Sequence, residues 1–278
     1  MTTPSDEQQR PIVVGVDGSR DASRAVEWAA NLARAEHRPV TLLHAGDGPT
    51  EPRVLDDALA LAADVAPEVA VRVLPAPDPA RHALIDASQE ASIVVVGARG
   101  GGTLSRLRLG SVTHALARHA ASPVVVTRSS GDSRRSGIVA GIDLGSCTRG
   151  VLDFAFRIAD VRGWPLTVLH CYWDSTGATG DVPEEVVSGL PEQRMVDDAV
   201  REHVARHPQV EVRTVLSRGF ADRRLLAATL DAGLVVIGHR ELPWLESLVY
   251  GHVSPVVVEH AVGDVAVVPC APPQEVWS

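Results

Sequence analysis

Gly97, Gly100 and Gly110 stand at a spacing that could hold a chain of phosphates. The segment reads Gly97-Ala-Arg-Gly100-Gly-Gly-Thr-Leu-Ser-Arg-Leu-Arg-Leu-Gly110-Ser111: glycine, two residues, glycine, nine residues, then Gly-Ser. It leaves an apolar run, Ile93–Val96, and leads into a helical pattern over Val112–His119. Glycine permits positive φ and close backbone approach. Successive N–H groups in such a turn form an anion nest. A helix starting near Ser111 adds free N–H groups and the positive end of its dipole. The nest must work without lysine, because all 26 basic residues are arginine. That excludes a Walker-type phosphate lysine and Schiff-base chemistry. Arg99, Arg106 and Arg108 could add charge, although arginines in such a loop usually sit in solvent.

A second polar turn, Asp17-Gly18-Ser19, follows the apolar run Ile12–Val16. Asp17 reads either as a ligand contact or as a helix cap, and Ser111 could cap its helix while its N–H faces an anion. No other constellation completes a catalytic set. There is no G-x-S-x-G elbow, no G-x-G-x-x-G after the first strand, no acid pair of a receiver domain and no general acid–base pair. Of the 11 histidines, His203 and His207 are four apart and could share a helix face, but nothing completes a metal set. His44 and His170 end matching strands and read as structural.

The elements that position these residues occur twice. PIVVGVDGS from Pro11 recurs as GIVAGIDLGS from Gly137, and VTLLHA from Val40 as LTVLHC from Leu166. Gly97, Gly110 and His119 recur as Gly238, Gly251 and His260. The spacing between copies grows once, which places an insertion in the second copy near Tyr172–Arg194. Each copy alternates strand and helix: Ile12–Val16, a helix through Val26 and Leu32, Val40–Leu43, a helix over 54–65, Val69–Leu74, a helix at Ala83–Ser88, Ile93–Val96, Val112–His119 and Val124–Thr127. Alternation of this kind predicts an α/β fold, with a five-stranded parallel sheet and helices on both faces in each copy. Ligands of such sheets bind at the carboxyl ends of the strands, where strand order reverses. Ser129–Gly137 reads as a linker.

The glycine spacing, with VGVDGS, LLHA and SPVVV in their strand contexts, resembles the ATP-binding universal stress proteins, in a tandem two-domain Rossmann-like form. The resemblance covers nearly the whole chain, as domains 9–128 and 136–270. It implies a site for ATP, with or without magnesium, in the first domain. Gly15 and Asp17 would approach the adenosine and Ala45 the adenine. Gly97, Arg99, Gly100, Gly101, Gly102 and Thr103 would wrap ribose and phosphates, and Gly110, Ser111 and Val112 would cap the phosphates. One departure is Pro77, which precedes Asp78-Pro79-Ala80 where the family often has glycine. The second copy departs further: Glu241 replaces the second glycine, His252 the serine, and Trp244, Leu245, Leu248 and Tyr250 fill the loop. A carboxylate there repels phosphate, so the second copy is expected to bind ATP weakly or not at all. Asp143 is expected to act as a cap.

The resemblance also implies a regulatory role in stress response, an intramolecular pseudo-dimer of the two domains, and dimerisation of whole chains. A scaffold without nucleotide and a slow ATPase or phosphotransferase are the rival readings. The net charge of −9 argues against nucleic-acid and anionic-membrane partners. Cys147, Cys171 and Cys270 are scattered and odd in number, so a disulfide framework or zinc site is not expected, and a reducing cytoplasm fits. No apolar run approaches a membrane span.

Overall fold

Short apolar runs buried on both faces make the strands, and alanine-rich helices cover them. The computed structural model describes residues 10–45, 51–76, 79–100, 109–128, 135–173, 179–182, 190–239 and 253–270. The chain divides into two compact units, Met1–Gly131 and Asp132–Ser278.

The first unit contains β1 (Ile12–Gly15), α1 (Arg20–Glu36), β2 (Val40–Ala45), α2 (Glu51–Val65), β3 (Val71–Ala76), α3 (Ala80–Ser88), β4 (Ile93–Gly97), α4 (Ser111–His119) and β5 (Val124–Thr127). Its strands lie in the order β3-β2-β1-β4-β5, every pair parallel. The chain therefore runs outward from β1 to β3, returns to β4, and reverses strand order between β1 and β4. The central strands are wholly apolar: Ile12, Val14, Ile93, Val94, Val95 and Val125 are fully buried. Each such side chain contributes roughly 1.5–3 kcal/mol by leaving water. β3 forms the outer edge, and Val73 and Leu74 are exposed there. Helix α1 lays Ala22, Ala25, Val26, Ala29 and Ala33 on the sheet at helical spacing. Small residues on that stripe let the helix axis come close to β4. Ser19 caps its start by accepting from the Ala22 N–H at 3.1 Å, and His37 in the left-handed region, φ 54°, ends it.

The second unit contains β6 (Ile138–Ile142), α5 (Thr148–Arg162), β7 (Leu166–Tyr172), β8 (Gly180–Asp181), α6 (Pro191–Arg206), β9 (Val212–Arg218), α7 (Ala221–Ala228), β10 (Leu234–His239), α8 (Val253–His260) and β11 (Val265–Pro269). Its order is β11-β10-β6-β7-β9-β8, with strand order reversing between β6 and β10. Five strands are parallel, as the sequence predicts. The sixth, β8, pairs antiparallel with β9 and lies within the insertion, where no strand was expected. Arg224 grips its Asp181 through Nε at 2.9 Å and Nη2 at 2.5 Å.

His203 and His207 each pair with a carboxylate. His203 Nε2 lies 3.0 Å from Asp153 Oδ1, and His207 Nδ1 lies 2.9 Å from Asp160 Oδ2. Both rings lie against Phe156, and together they latch α6 to α5. Among the described residues no group of three potential metal ligands occurs, and no helix is long and apolar enough to cross a membrane.

Candidate nucleotide site

The candidate site lies at the strand reversal of the first unit, and its parts are fastened by short polar contacts. The Asp17 turn is closed by the Ser19 N–H donating to Asp17 Oδ1 at 3.0 Å. Asp17 is therefore not the cap of α1; Ser19 is. The Ser19 hydroxyl also donates to the Arg99 carbonyl at 3.2 Å, which joins the turn after β1 to the loop after β4. Asp17 faces Gly100 so closely that a Cβ at Gly100 would sit 2.7 Å from Asp17 Oδ2. The loop closes on itself, with the Gly110 N–H donating to the Ala98 carbonyl at 2.9 Å. Thr113, one turn into α4, donates to the Gly97 carbonyl at 2.9 Å. Asp17, Gly97, Arg99, Gly100, Gly110 and the start of α4 thus form one rim.

The glycines of that rim serve different purposes. At Gly15 a Cβ would meet Val96 and Leu84 side chains at 3.0 and 3.1 Å, and at Gly97 it would meet Asp21 and Ala22 main chain at 2.8 and 2.9 Å. Both are small because the protein packs against them. Gly110 is different. Its φ is −63°, and the nearest atom to a Cβ there is 3.6 Å away. Nothing within the described residues requires glycine at that position. It is the N-cap of α4 and supplies no side-chain cap, so the first N–H groups of α4 receive no capping bond from it. Ser111, expected to cap, is instead the first helical residue and is exposed; Val112 follows it, half-buried.

Arg99 is not a simple solvated arginine. Its Nε donates to Asp21 Oδ2 at 3.0 Å, and the Asp21 side chain is only 4% exposed. A carboxylate so buried needs such a partner. Asp21 escaped the sequence reading because it lies inside a helical pattern, where a first-turn acid looks like dipole chemistry. Ala45 stands at the end of β2, beside β1, and no contact among the described residues draws it onto the rim. His44 next to it donates from Nδ1 to the Val16 carbonyl at 2.7 Å, and His170 does the same to the Ile142 carbonyl at 3.0 Å. Both rings thus tie the end of their strand to the main chain at or just past the end of the neighbouring strand. Gly101, Gly102, Thr103, Arg106, Arg108 and Pro77 lie outside the described residues.

The second unit repeats the framework with other fastenings. Asp143 accepts from the Gly145 N–H at 2.8 Å and from the Thr148 hydroxyl at 3.2 Å, so it organises the turn ahead of α5. Leu144 keeps the left-handed conformation of its counterpart Gly18, with φ 59° against 76°. Gly238 packs on Cys147, where a Cβ would meet the cysteine Cβ at 2.6 Å, just as Gly97 packs on Asp21. Cys147 is bonded to Cys270, which corrects the expectation of unpaired cysteines. Spacing could not show this, because the two lie 123 residues apart and are joined only by the sheet. Cys171 is free, and burial pushes its thiol up to about 11. Glu241, Trp244, Leu245, Leu248, Tyr250 and His252 lie outside the described residues.

The sequence model described as the universal stress protein family matches residues 9–61, 49–128 and 135–269. A universal stress protein of Mycolicibacterium smegmatis is 31% identical over 287 residues, covering 92% of this chain and 96% of its own length. Among solved structures, a putative universal stress protein of Pseudomonas aeruginosa superposes with a TM-score of 0.68 at 20% identity, over 96% of this chain and 95% of that one. One from Archaeoglobus fulgidus gives 0.65 at 18% identity, over 94% and 99%. The chain belongs to the universal stress protein family.

Proposed function

We propose that the first unit binds ATP at the β1–β4 reversal and that occupancy regulates what the chain does under stress. The supporting observation is Gly110, a glycine that packing among the described residues does not require, at the start of α4, to which it gives no side-chain cap. A helix start of this kind favours an anion through its N–H groups and dipole, and a side chain there would stand where a phosphate approaches. Gly100 across the rim gives the second close approach. Asp17 offers a carboxylate beside the same loop, suited to a ribose hydroxyl or to a magnesium ion carried with the nucleotide. The sequence offers no evident general acid–base pair, which supports retention of the nucleotide over turnover.

One observation favours the scaffold reading. Arg99 is already paired with Asp21, so the rim carries less net positive charge than its arginine suggests. The nucleotide content of the purified protein separates the readings. After denaturation, anion-exchange analysis should recover about one ATP per chain if the first unit alone is loaded. No nucleotide, followed by a flat calorimetric titration with ATP, would leave the scaffold. Hydrolysis of bound ATP within minutes would make the protein an enzyme. Gly100→Glu copies the second unit's Glu241 into the first and should abolish binding in a folded protein.

A further inference from the structure

In both units the first turn of the first helix is tied across the carboxyl edge of the sheet, at corresponding positions. Asp21 in the first unit and Cys147 in the second each lie against a glycine at the carboxyl end of the corresponding strand, Gly97 in β4 and Gly238 in β10. Asp21 is tied by an ion pair to Arg99. Cys147 is tied by a covalent bond to Cys270, with the Cα atoms 4.7 Å apart. Cys270 follows β11, and its N–H donates to the His239 carbonyl at 3.0 Å, so both ends of the bridge are fixed to framework elements.

We propose that Cys147–Cys270 is a thiol–disulfide exchange site, opened by a dithiol reductant, that fastens or releases the start of α5. The two sulfurs are unequal. Cys147 is 8% exposed, and Cys270 is only half-buried at the rim. A reductant thiolate therefore attacks the Cys270 sulfur. The sulfur–sulfur bond breaks, a mixed disulfide forms on Cys270, and Cys147 leaves as a thiolate and takes up a proton. Cys147 is the N-cap of a 15-residue helix. The free N–H groups and dipole of that helix stabilise the departing thiolate, and a better leaving thiolate leaves faster. The reductant's second thiol then attacks the mixed disulfide and departs as a disulfide, while Cys270 is released and protonated. Two electrons and two protons pass to the protein. The reduced Cys147 stands where the first unit carries a carboxylate, an anion position at a helix start. Cys171, whose thiol burial pushes up to about 11, is unbonded and takes no part.

The test uses the full chain, oxidised in air and then treated in its native state with dithiothreitol. Alkylation after acid quench and denaturation should find one thiol before treatment and three after, with a peptide pair joining Cys147 to Cys270 only before. Amide exchange over residues 148–151 should rise at least tenfold on reduction. Cys147→Ser with Cys270→Ser should show the faster exchange without reductant and no response to it. Three alkylated thiols in the oxidised protein would overturn the proposal. So would a bond that yields only when the second unit is unfolded, or unchanged exchange on reduction in the wild-type chain. The inference is independent of ATP binding, and none of these readouts depends on nucleotide.

Discussion

A methyl group at Gly97 would press on the main chain of Asp21 and Ala22 at 2.8 and 2.9 Å, whereas at Gly110 it would find no described residue closer than 3.6 Å. Two alanine substitutions therefore separate packing from binding. Gly97→Ala should destabilise the first unit by about 2 kcal/mol, because backbone atoms cannot give way cheaply. Gly110→Ala, at φ −63°, should change stability by less than about 1 kcal/mol, yet weaken ATP at least tenfold. Denaturant melts alongside calorimetric titration with ATP would show it. A Gly110→Ala protein that binds as tightly as the wild type would remove the phosphates from this position. The glycine spacing was legible in the sequence, but the reason for each glycine was not. Spacing cannot tell a glycine that makes room for a helix from one that makes room for a ligand.

At the scale of elements, alternating apolar runs placed every strand of the first unit within two residues, because buried parallel strands must be continuously apolar. The short β8 has no such run: Gly180 and Asp181 carry no hydrophobic signal, and the strand exists because β9 and Arg224 hold it. The α5–α6 latch was invisible for a similar reason, since its pairs lie some fifty residues apart. That latch sets an acid limit. Hydrogen bonds from Gln209 and then from His207 hold the Asp160 carboxyl below its ordinary 3.8, with burial opposing them. A carboxyl group whose pKa is lower in the folded state stabilises the fold above its unfolded pKa, and the contribution is lost as pH falls through the folded value. The second unit should therefore lose stability below about pH 4. Gln209→Ala with His207→Ala should flatten that loss in melts recorded from pH 6 to pH 2. An unchanged slope would mean that other carboxylates set the limit.

Across the whole molecule, two copies of one framework have been fastened at the same helix start by different chemistry, ionic to the loop after β4 in one and covalent to the residue after β11 in the other. This predicts independent responses. At a hundred times its Kd, ATP should stabilise the first unit by about 2.7 kcal/mol and leave the second unchanged. Opening a loop of more than a hundred residues should cost the second unit about 5 kcal/mol on the chain-entropy account and spare the first. Exchange-resolved stability of each unit, with ATP and dithiothreitol added separately and together, would show whether the two effects are confined in this way.

The outer edges of the two sheets differ as well, and this bears on handling the protein in concentrated solution. In the first unit β3 ends the sheet with exposed Val73 and Leu74, and Pro75 within it has no N–H to offer a newcomer. In the second unit the two residues of β8 occupy the flank of β9 at Ser217 and Arg218. Trimming the insertion to match the first copy would bare that flank without supplying a proline to guard it. Such a shortened chain should gel or form fibrils on storage at concentrations where the full-length chain stays clear.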